Sequence, residues 1–425
     1  MKEKFLHFLW RYKRFDVLGI HTTKNQLIEI LYSGDYNTHS GPDFLHAKLK
    51  IGNILWIGNV EIHVRSSEWI NHRHQDDKAY DNVILHVVFE EDIPIFRNNG
   101  ERIPCLQLKK YINENLLGSY EQLLCNTEWI PCQNQFAQVS EICKTSWWER
   151  LLIERMEEKT SSIISDLQQN NWNWEEVFYR HLARSFGIKN NELPFEMLAR
   201  ALPLSIIRKH KNRQFQIEAL FFGQAGMLEN KNFTDAYPKS LKKEFQHLQN
   251  KYSLKPINNS IWKFLRMRPA SFPTIRIAEF AAFITSIESL FSTLMEADEI
   301  KSIESIFELK INLYWENHFI FDKLSVSQKK QMGKNGVKTI IINTICPFLF
   351  TFGKIKENVI YQDRAFKLLE QLDPEQNHII NKWVEMQVPV NSAADTQALI
   401  QQKRKYCDSK RCLECAIGTY LLREK

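Results

Sequence analysis

The sequence predicts an α+β protein. An N-terminal α/β domain with a mixed β-sheet, residues 1–135, is followed by a larger, mainly α-helical domain, residues 136–425. Short apolar runs separated by turn residues dominate the first part, whereas apolar residues at helical spacing dominate the second. Charge follows the same division, because residues 1–135 carry 15 Lys and Arg against 17 Asp and Glu, and residues 136–425 carry 41 against 33. The basic excess therefore lies in the helical part.

The elements of the N-terminal domain follow from hydrophobic spacing and turn residues. Phe5, Phe8 and Leu9 recur at helical spacing, which predicts a helix over residues 2–13. Apolar or alternating runs predict strands at residues 26–32, 43–51, 54–65, 82–89 and 103–108. Turns such as Ile51-Gly52-Asn53 separate these strands. The polar segment from Ser67 to Tyr80 can hold a helix between the third and fourth strands.

Helical spacing dominates the second domain. Ser146 can cap a helix in which Trp148, Leu151, Leu152 and Met156 recur on one face. Another helix is predicted to begin near residue 174 and to end near residue 187. Further helices are predicted at residues 275–293, 326–342, 360–371 and 375–385.

Composition limits the class of protein and its compartment. The chain has 425 residues, of which 44% are hydrophobic, and this can support two domains with ordinary cores. No apolar run reaches the roughly 18 to 20 residues of a membrane helix, and the apolar stretch near residue 8 is short for a secretory signal. The eight cysteines fit thiols in a reducing compartment better than a disulfide framework. A cytoplasmic protein without a membrane part is therefore predicted, and its oligomeric state stays open.

One constellation in the N-terminal domain can bind a divalent metal. Asp43 lies in the run Ser40-Gly41-Pro42-Asp43-Phe44, directly before a predicted strand, and Glu61 and His63 lie two positions apart on the next strand. Side chains two apart on a strand point to the same face, so Glu61 and His63 should share a surface that Asp43 can join. Arg65 has the same parity.

These residue types suit metal-dependent cleavage of a phosphodiester. Asp43 and Glu61 offer the hard oxygen ligands that Mg²⁺ or Mn²⁺ requires. His63 could orient or deprotonate the attacking water, or act as a third ligand, and Arg65 could stabilise the charge that develops on the phosphate. The alternative is a polar strand face whose charges are solvated or paired with one another.

The order of these elements resembles the core of the PD-(D/E)xK nuclease superfamily over about residues 1–110, with Pro42-Asp43 before one strand and Glu61-x-His63 on the next. The resemblance implies a restriction-endonuclease-like domain, with Asp43 and Glu61 as metal ligands and nucleic acid as the substrate. His63 departs from the pattern, because the superfamily has lysine there. A histidine carries no permanent charge near neutral pH, so a nuclease-like scaffold that has lost catalysis is the alternative.

Three further histidines can support this site. His72 and His74 follow the Glu61 strand in the run Asn71-His72-Arg73-His74-Gln75-Asp76-Asp77 and could add transition-metal ligands or a water relay. A solvated loop or helix start is the alternative for this run. His86 lies in an apolar strand, where it fits a hydrogen-bonded core histidine or a residue that orients a metal ligand.

The C-terminal run holds a second candidate metal site. Cys412-x-x-Cys415 lets two thiolates grip one metal, and Cys407 gives a third, which suits Zn²⁺ or an iron–sulfur cluster. A fourth ligand is missing locally, and Cys346 or a histidine could supply it. The alternative is a set of reduced cysteines without a metal.

Arginines of the helical domain are candidates for contact with substrate. Arg266, Arg268 and Arg276 flank two prolines in a turn between helices, where their guanidinium groups could bind phosphate oxygens or pair with helix carboxylates. Such contacts would make nucleic acid the partner of this domain.

Several separated stretches together resemble the bacterial domain-of-unknown-function family 2851. They are residues 40–44, 58–69, 85–88, 266–269, 272–276 and 406–418. The resemblance spans nearly the whole chain and implies a bacterial family name without a mechanism.

Three functional hypotheses follow: a metal-dependent nuclease, a catalytically inactive nuclease-like binding or scaffold protein, and an enzyme of another class with histidine-bound transition metal. The oxygen ligands Asp43 and Glu61 favour the first two. ATP and NAD chemistry are not indicated, because the sequence lacks the glycine-rich phosphate-binding motifs.

Overall fold

A computed structural model describes residues 2–188, 190–229 and 232–422 of the chain. Its residues form two compact units. The first contains the chain up to Trp147 together with the residues from Lys403 onward, and the second runs from Trp148 to Gln402. The first unit carries a mixed β-sheet and the second is mostly helical, so the predicted α+β fold class is confirmed.

The first unit is built on helix α1, Glu3–Tyr12, and a mixed sheet. The strands are β1 Ile28–Tyr32, β2 Asp35–Tyr36, β3 Phe44–Ile51, β4 Ile54–Arg65, β5 Val83–Glu90 and β6 Cys105–Gln107. Within the sheet they follow the order β1-β3-β4-β5-β6, and β2 pairs with β3 beside this path. Strand β4 is antiparallel to β3 and parallel to β5. The side chains of β4 therefore lie in the middle of the sheet, where neighbouring strands can bring partners to them.

Burial explains why these sequences form these strands. Strand β3 alternates buried Ala47, Leu49 and Ile51 with exposed lysines, so only one of its faces packs on the core. The central strand β5 is buried without interruption over residues 83–88, as expected for a strand covered on both faces. Helix α1 supplies part of that cover, since its residues 5–10 are all buried.

The predicted elements of this unit agree with the structure except after β4. Strand β4 has the predicted bounds, and the other predicted strands and α1 differ by one or two residues at their ends. The segment Ser67–Tyr80 forms only the short helix α2, Glu68–Asn71, followed by two single helical turns. Arg73 has a left-handed backbone with φ of 58°, and this reversal ends the helix.

Helices account for most of the remaining chain. Helix α3 is Glu114–Cys125, and α4, Glu141–Gln169, contains the boundary between the units. The helices of the second unit are α5 Trp174–Phe186, α6 Glu192–Ala201, α7 Leu204–Ile207, α8 Gln214–Gln224, α9 Ala236–Tyr252, α10 Pro273–Ser286, α11 Leu290–Glu296, α12 Ile300–Ile306, α13 Lys334–Ile340, α14 Cys346–Ile355, α15 Val359–Gln371, α16 His378–Glu385 and α17 Ala393–Gln401. The hairpin β7, His318–Ile320, and β8, Lys323–Leu324, also lies there, and α18, Ala416–Leu421, belongs to the first unit. Two π-helical turns occupy Ile341–Ile345 and Gln402–Cys407.

Three predicted helices differ from the structure. The helix predicted to be capped by Ser146 begins at Glu141, so Ser146 lies inside α4. The helix predicted at residues 275–293 is divided into α10 and α11, because the backbone is extended at residues 287 and 289. The helix predicted at residues 326–342 begins only at residue 334. The segment before it is held in another conformation, since the Lys330 ammonium donates to the carbonyl oxygens of Trp315 and Glu316.

The unit boundaries differ from the predicted domains 1–135 and 136–425. Residues 136–147 and the chain from Lys403 onward, which includes the C-terminal cysteines, cluster with the sheet. The second unit has an extensive apolar core. Among the described residues, Lys334–Ile355 is a helix long and apolar enough to cross a membrane. Helices α10 and α11 together would be long and apolar enough only if they formed one span, and they are bent by 84° at the break between them. The first segment is 72% buried, as in a core helix of a soluble protein.

Candidate metal centre

Two carboxylates, one just before β3 and one on β4, accept hydrogen bonds from the backbone of the opposite segment. Asp43 immediately precedes β3, and Glu61 lies on β4, where Phe44 pairs with Val60. The backbone N–H of Asp43 donates to Glu61 Oε2 at 3.1 Å, and the N–H of Ile62 donates to Asp43 Oδ2 at 2.9 Å. These two hydrogen bonds fix the acidic side chains of Asp43 and Glu61 next to each other.

The position of Glu61 disfavours its negative charge in the absence of a cation. The residue is only 4% exposed. Burial and the neighbouring charge of Asp43 raise the pKa of Glu61 to about 9, although the Asp43 N–H opposes this shift. A divalent ion at the carboxylate would reverse the effect, because it would supply the positive charge that the site lacks.

Three histidine rings converge on the same carboxylate. His74 Nε2 lies 3.3 Å and His63 Nε2 lies 3.6 Å from Glu61 Oε1. His72 Nδ1 lies 3.2 Å from His63 Nε2. One ring nitrogen from each histidine lies within 4.8 Å of the others, and in the described part of the chain no other trio of His, Cys, Asp or Glu side chains is gathered so closely. Two of the ring nitrogens therefore lie close to one carboxylate oxygen, and His72 joins them through His63.

Local structure after β4 brings two of these rings back to the strand. The left-handed Arg73 lies between His72, at the end of α2, and His74, which starts a single helical turn. The His74 ring stacks on Tyr80 with centroids 3.8 Å apart and meets Trp69 edge-on at 5.4 Å. This aromatic packing holds the ring against the sheet.

A buried ring nitrogen supports a metal at this point. His74 Nε2 is buried and makes no hydrogen bond with the described residues, although a buried polar atom normally has a partner. Burial lowers the pKa of His74, although nearby acids oppose the shift. The neutral ring therefore has a lone pair to offer, and the residues present fit a divalent metal with mixed carboxylate and imidazole ligands.

His86 is positioned to orient His63. His63 Nδ1 and His86 Nε2 lie 2.9 Å apart, and both residues are 1% exposed. Burial and neighbouring histidines lower the pKa of His63 to about 2 and that of His86 to about 3, so both rings are neutral. The tautomer in which His63 Nδ1–H donates to His86 leaves the Nε2 lone pair of His63 facing Glu61 and His72.

Helix α1 adds two residues that the sequence analysis missed. His7 Nε2 lies 3.3 Å from Asp43 Oδ2 and 3.8 Å from Glu3 Oε1. Burial lowers the pKa of His7, but the carboxylates of Asp43, Glu3 and Glu61 together outweigh it, and the pKa is raised. The four-residue spacing of Glu3 and His7 on one helix face was a visible signal. What the sequence did not show was that this face packs beside Asp43.

Arg65 does not take the predicted position. It is exposed at the end of β4, where its Cα is paired with that of Glu90, and it makes no ion pair with Glu61 among the described residues. Its backbone N–H, like that of Val64, donates to Glu68. Arg65 lies two residues after His63, which is the spacing of one strand face. The strand is buried at His63 but exposed at Arg65.

The three arginines predicted to bind substrate are not equivalent. All three lie in the second unit, Arg266 and Arg268 in an exposed turn and Arg276 inside α10. Arg276 is buried and forms an ion pair of 2.8 Å with Glu279, which is 1% exposed. Its guanidinium group is thus engaged inside the unit, as the alternative of pairing with a helix carboxylate anticipated.

The C-terminal cysteines lie in the first unit, not in the helical one. Cys407 ends a π-helical turn, and Cys412 and Cys415 flank a single helical turn. Cys346, considered as their fourth partner, is instead in the second unit, where its surroundings include the Lys159 ammonium.

Fold and site together define an α+β protein whose mixed sheet carries a buried carboxylate–histidine cluster suited to a divalent metal. The chain belongs to the family described as "Protein of unknown function (DUF2851)", whose model matches residues 3–378. This match includes every residue of the cluster and ends before the C-terminal cysteines. Comparisons with curated proteins and with solved structures find no match.

Proposed function

We propose that the first unit is a metal-dependent hydrolase that cleaves phosphodiester bonds of nucleic acid. The observation that carries this proposal is the position of Glu61, whose two oxygens face different partners. Oε2 faces the Asp43 backbone, and Oε1 faces the rings of His63 and His74. The buried carboxylate of Glu61 thus lies between Asp43 on one side and the neutral rings of His63 and His74 on the other. Carboxylates and imidazoles in this arrangement can act as ligands of a catalytic divalent ion.

The ligand types favour Mn²⁺ over Mg²⁺. Carboxylates suit both ions, but imidazole nitrogen is a poor ligand for Mg²⁺ and a common one for transition metals. The residues that would hold the ion are Glu61, His63, His74 and His72, with Asp43 beside them. Such an ion supplies a nucleophilic hydroxide near neutral pH and positive charge for the phosphate oxygens.

The protein side chains then divide the remaining tasks by their exposure. His63 and Glu61 are buried, so they fix the ligand geometry. His72 is exposed and lies at the solvent side of the cluster, so the ion that it would help to hold is open to the attacking water. His86 orients His63 through the 2.9 Å contact between their rings.

A cleft beside the cluster supports nucleic acid as the substrate class. It has a volume of about 270 Å³ and is lined by His74, Tyr80, Phe96, Asn98 and other residues. Phe96 is 52% exposed, so an aromatic face is open to solvent there. Aromatic faces stack on bases, and amide side chains can bond their edges. The cleft shares His74 with the cluster.

The second candidate is a nuclease-like scaffold without catalysis. One observation favours it: the superfamily that the sequence resembles has a lysine where this chain has His63, and the His63 ring is neutral because burial lowers its pKa. No permanent cation is then provided by this position. The eight free thiols favour a cytoplasmic location for either candidate.

Cleavage of labelled single- and double-stranded DNA and RNA with Mn²⁺ or Mg²⁺ tests the proposal. Wild type should cleave at least one substrate, best with Mn²⁺, while Asp43→Asn and Glu61→Gln should lose at least 100-fold in rate. Glu29→Gln, an exposed acid on the same sheet, is the matched control and should cleave normally. Equal cleavage by wild type and both site variants would show a contaminant, and no cleavage by wild type on any substrate would favour the scaffold.

A further inference from the structure

The three C-terminal cysteines meet a fourth thiol that the sequence analysis did not consider. Cys132, Cys407, Cys412 and Cys415 all lie in the first unit, and each is only 6 to 8% exposed. Helix α18, directly after Cys415, packs against the helical turn Gln133–Gln138, directly after Cys132. The N–H of Lys410 donates to the carbonyl oxygen of Cys407 at 3.1 Å, which keeps Cys407 beside Cys412. None of the four forms a disulfide. Four buried thiols at one place are a complete ligand set for a metal centre.

Contacts between two distant segments of the chain fix this arrangement. The Lys410 ammonium donates to the backbone carbonyl oxygens of Leu124 and Asn126, the latter at 3.1 Å. The ring of Tyr406 meets that of Trp147 edge-on with centroids 5.0 Å apart. The segment with Cys407, Cys412 and Cys415 is therefore anchored next to the segment with Cys132.

The backbone between Cys412 and Gly418 turns closely. Cys415 has an extended backbone directly before α18, and its N–H donates to the carbonyl oxygen of Cys412 at 3.4 Å. Gly418 permits this turn, because a Cβ there would lie 2.2 Å from the same carbonyl oxygen. The turn therefore holds Cys412 and Cys415 near each other.

The spacing of the thiols distinguishes between kinds of metal centre. A zinc ion with Zn–S bonds of about 2.3 Å would draw four sulfurs to about 3.8 Å from one another. Within the described chain, no three of these sulfurs lie within 4.8 Å of each other. A cluster of several iron and sulfide ions fills a wider space between its four thiolates.

We propose that Cys132, Cys407, Cys412 and Cys415 bind an iron–sulfur cluster that joins the two chain segments of the first unit. Residues 148–402 form the other unit, so the two segments of the first are separated by a long stretch of chain. A centre that binds both of them acts as a crosslink across this stretch. The proposal concerns structure and does not depend on cleavage of nucleic acid.

Metal and sulfide analysis of the full chain, purified without oxygen and reconstituted with Fe²⁺ and sulfide, tests this proposal. Wild type should hold about four iron and four sulfide ions per chain and show a visible absorption band that bleaches on reduction. Cys132→Ser should lose most of this iron, whereas Cys125→Ser, an exposed cysteine of the same unit, should keep it. Stoichiometric zinc without sulfide, no iron after reconstitution, or full iron in Cys132→Ser would each overturn the proposal.

A second measurement needs no variant and so avoids the risk of misfolding. Mass spectrometry after alkylation should show the four thiols protected in the iron-loaded protein and modified after the iron is removed with a chelator. Cys125 should react in both states, because it is exposed. Equal alkylation of the four thiols in both states would contradict the proposal.

Discussion

Replacing Glu61 by glutamine should stabilise the metal-free protein and abolish its stabilisation by Mn²⁺. Glutamine keeps the shape of the side chain and an oxygen that can accept from the Asp43 N–H at 3.1 Å. It removes the negative charge that the buried position disfavours. The same change removes a charged ligand, so the variant should bind the ion far more weakly.

The magnitude follows from the raised pKa of Glu61. The group has an ordinary value of 4.5 and a value of about 9 in the fold, so at pH 7 the folded protein must hold a proton that the unfolded chain releases. The wild-type stability linked to this group is present below pH 4.5 and is lost as the pH rises towards 9. Over the 2.5 units between 4.5 and 7 the loss is about 3 kcal/mol.

Urea unfolding of wild type and Glu61→Gln at pH 5, 7 and 8, with chelator and with Mn²⁺, measures both effects. With chelator, the free energy of unfolding of the variant should exceed that of wild type by an amount that grows from pH 5 to pH 8. Titration of the buried histidines affects both proteins equally, so it cancels in this difference. With Mn²⁺ at about 100 times its dissociation constant, wild type should gain about 2.7 kcal/mol and the variant little. Glu29→Gln should follow wild type. A difference that does not change with pH would refute the reasoning, since it would show Glu61 ionised and already compensated.

Three further substitutions test other parts of the structure. Arg276→Met should cost about 3 to 5 kcal/mol in urea unfolding because it leaves its carboxylate partner buried, whereas the exposed Arg268→Met should change stability by less than about 0.5 kcal/mol; equal effects would contradict the buried ion pair. His86→Leu removes the ring that orients His63 and should weaken Mn²⁺ binding about 10- to 100-fold in calorimetric titration, and unchanged affinity would exclude that role. Gly418→Ala brings a Cβ against a cysteine carbonyl and should lower the melting temperature and the iron content together; a normal iron content would show that the turn can relax.

Much of the fold could be predicted because its signals are local. The pattern of β4 fixed the strand over residues 54–65, and period-two spacing put Glu61 and His63 on one face, 3.6 Å apart in the structure. Hydrophobic spacing likewise located several helices, among them α5, α15 and α16. The predicted helix at residues 326–342 starts late because Lys330 bonds to distant carbonyls, and spacing along the chain contains no information about such a contact.

The missing site residues depend on contacts between distant parts of the chain. Glu3 and His7 reach Asp43 because α1 packs on the sheet, and Cys132 meets the C-terminal thiols because the chain from Lys403 onward returns to the first unit. Neither contact has a fixed sequence spacing. Arg65 illustrates a different difficulty. Period-two spacing predicted that it shares a strand face with Glu61 and His63, but spacing did not predict that this end of the strand is exposed.

The electrostatics of the sheet argue that the carboxylate–histidine cluster needs a cation. Glu3, Asp43 and Glu61 lie near one another. Burial is the largest cause of the raised pKa of both Glu3 and Glu61. The rings of His63 and His74 are neutral, so they contribute lone pairs and no compensating charge. Arg65, the fixed cation expected at this face, is exposed at the strand end. In the metal-free fold the crowded acids disfavour the ionised form of Glu61, and a divalent ion would offset this negative charge and use the lone pairs of the rings together.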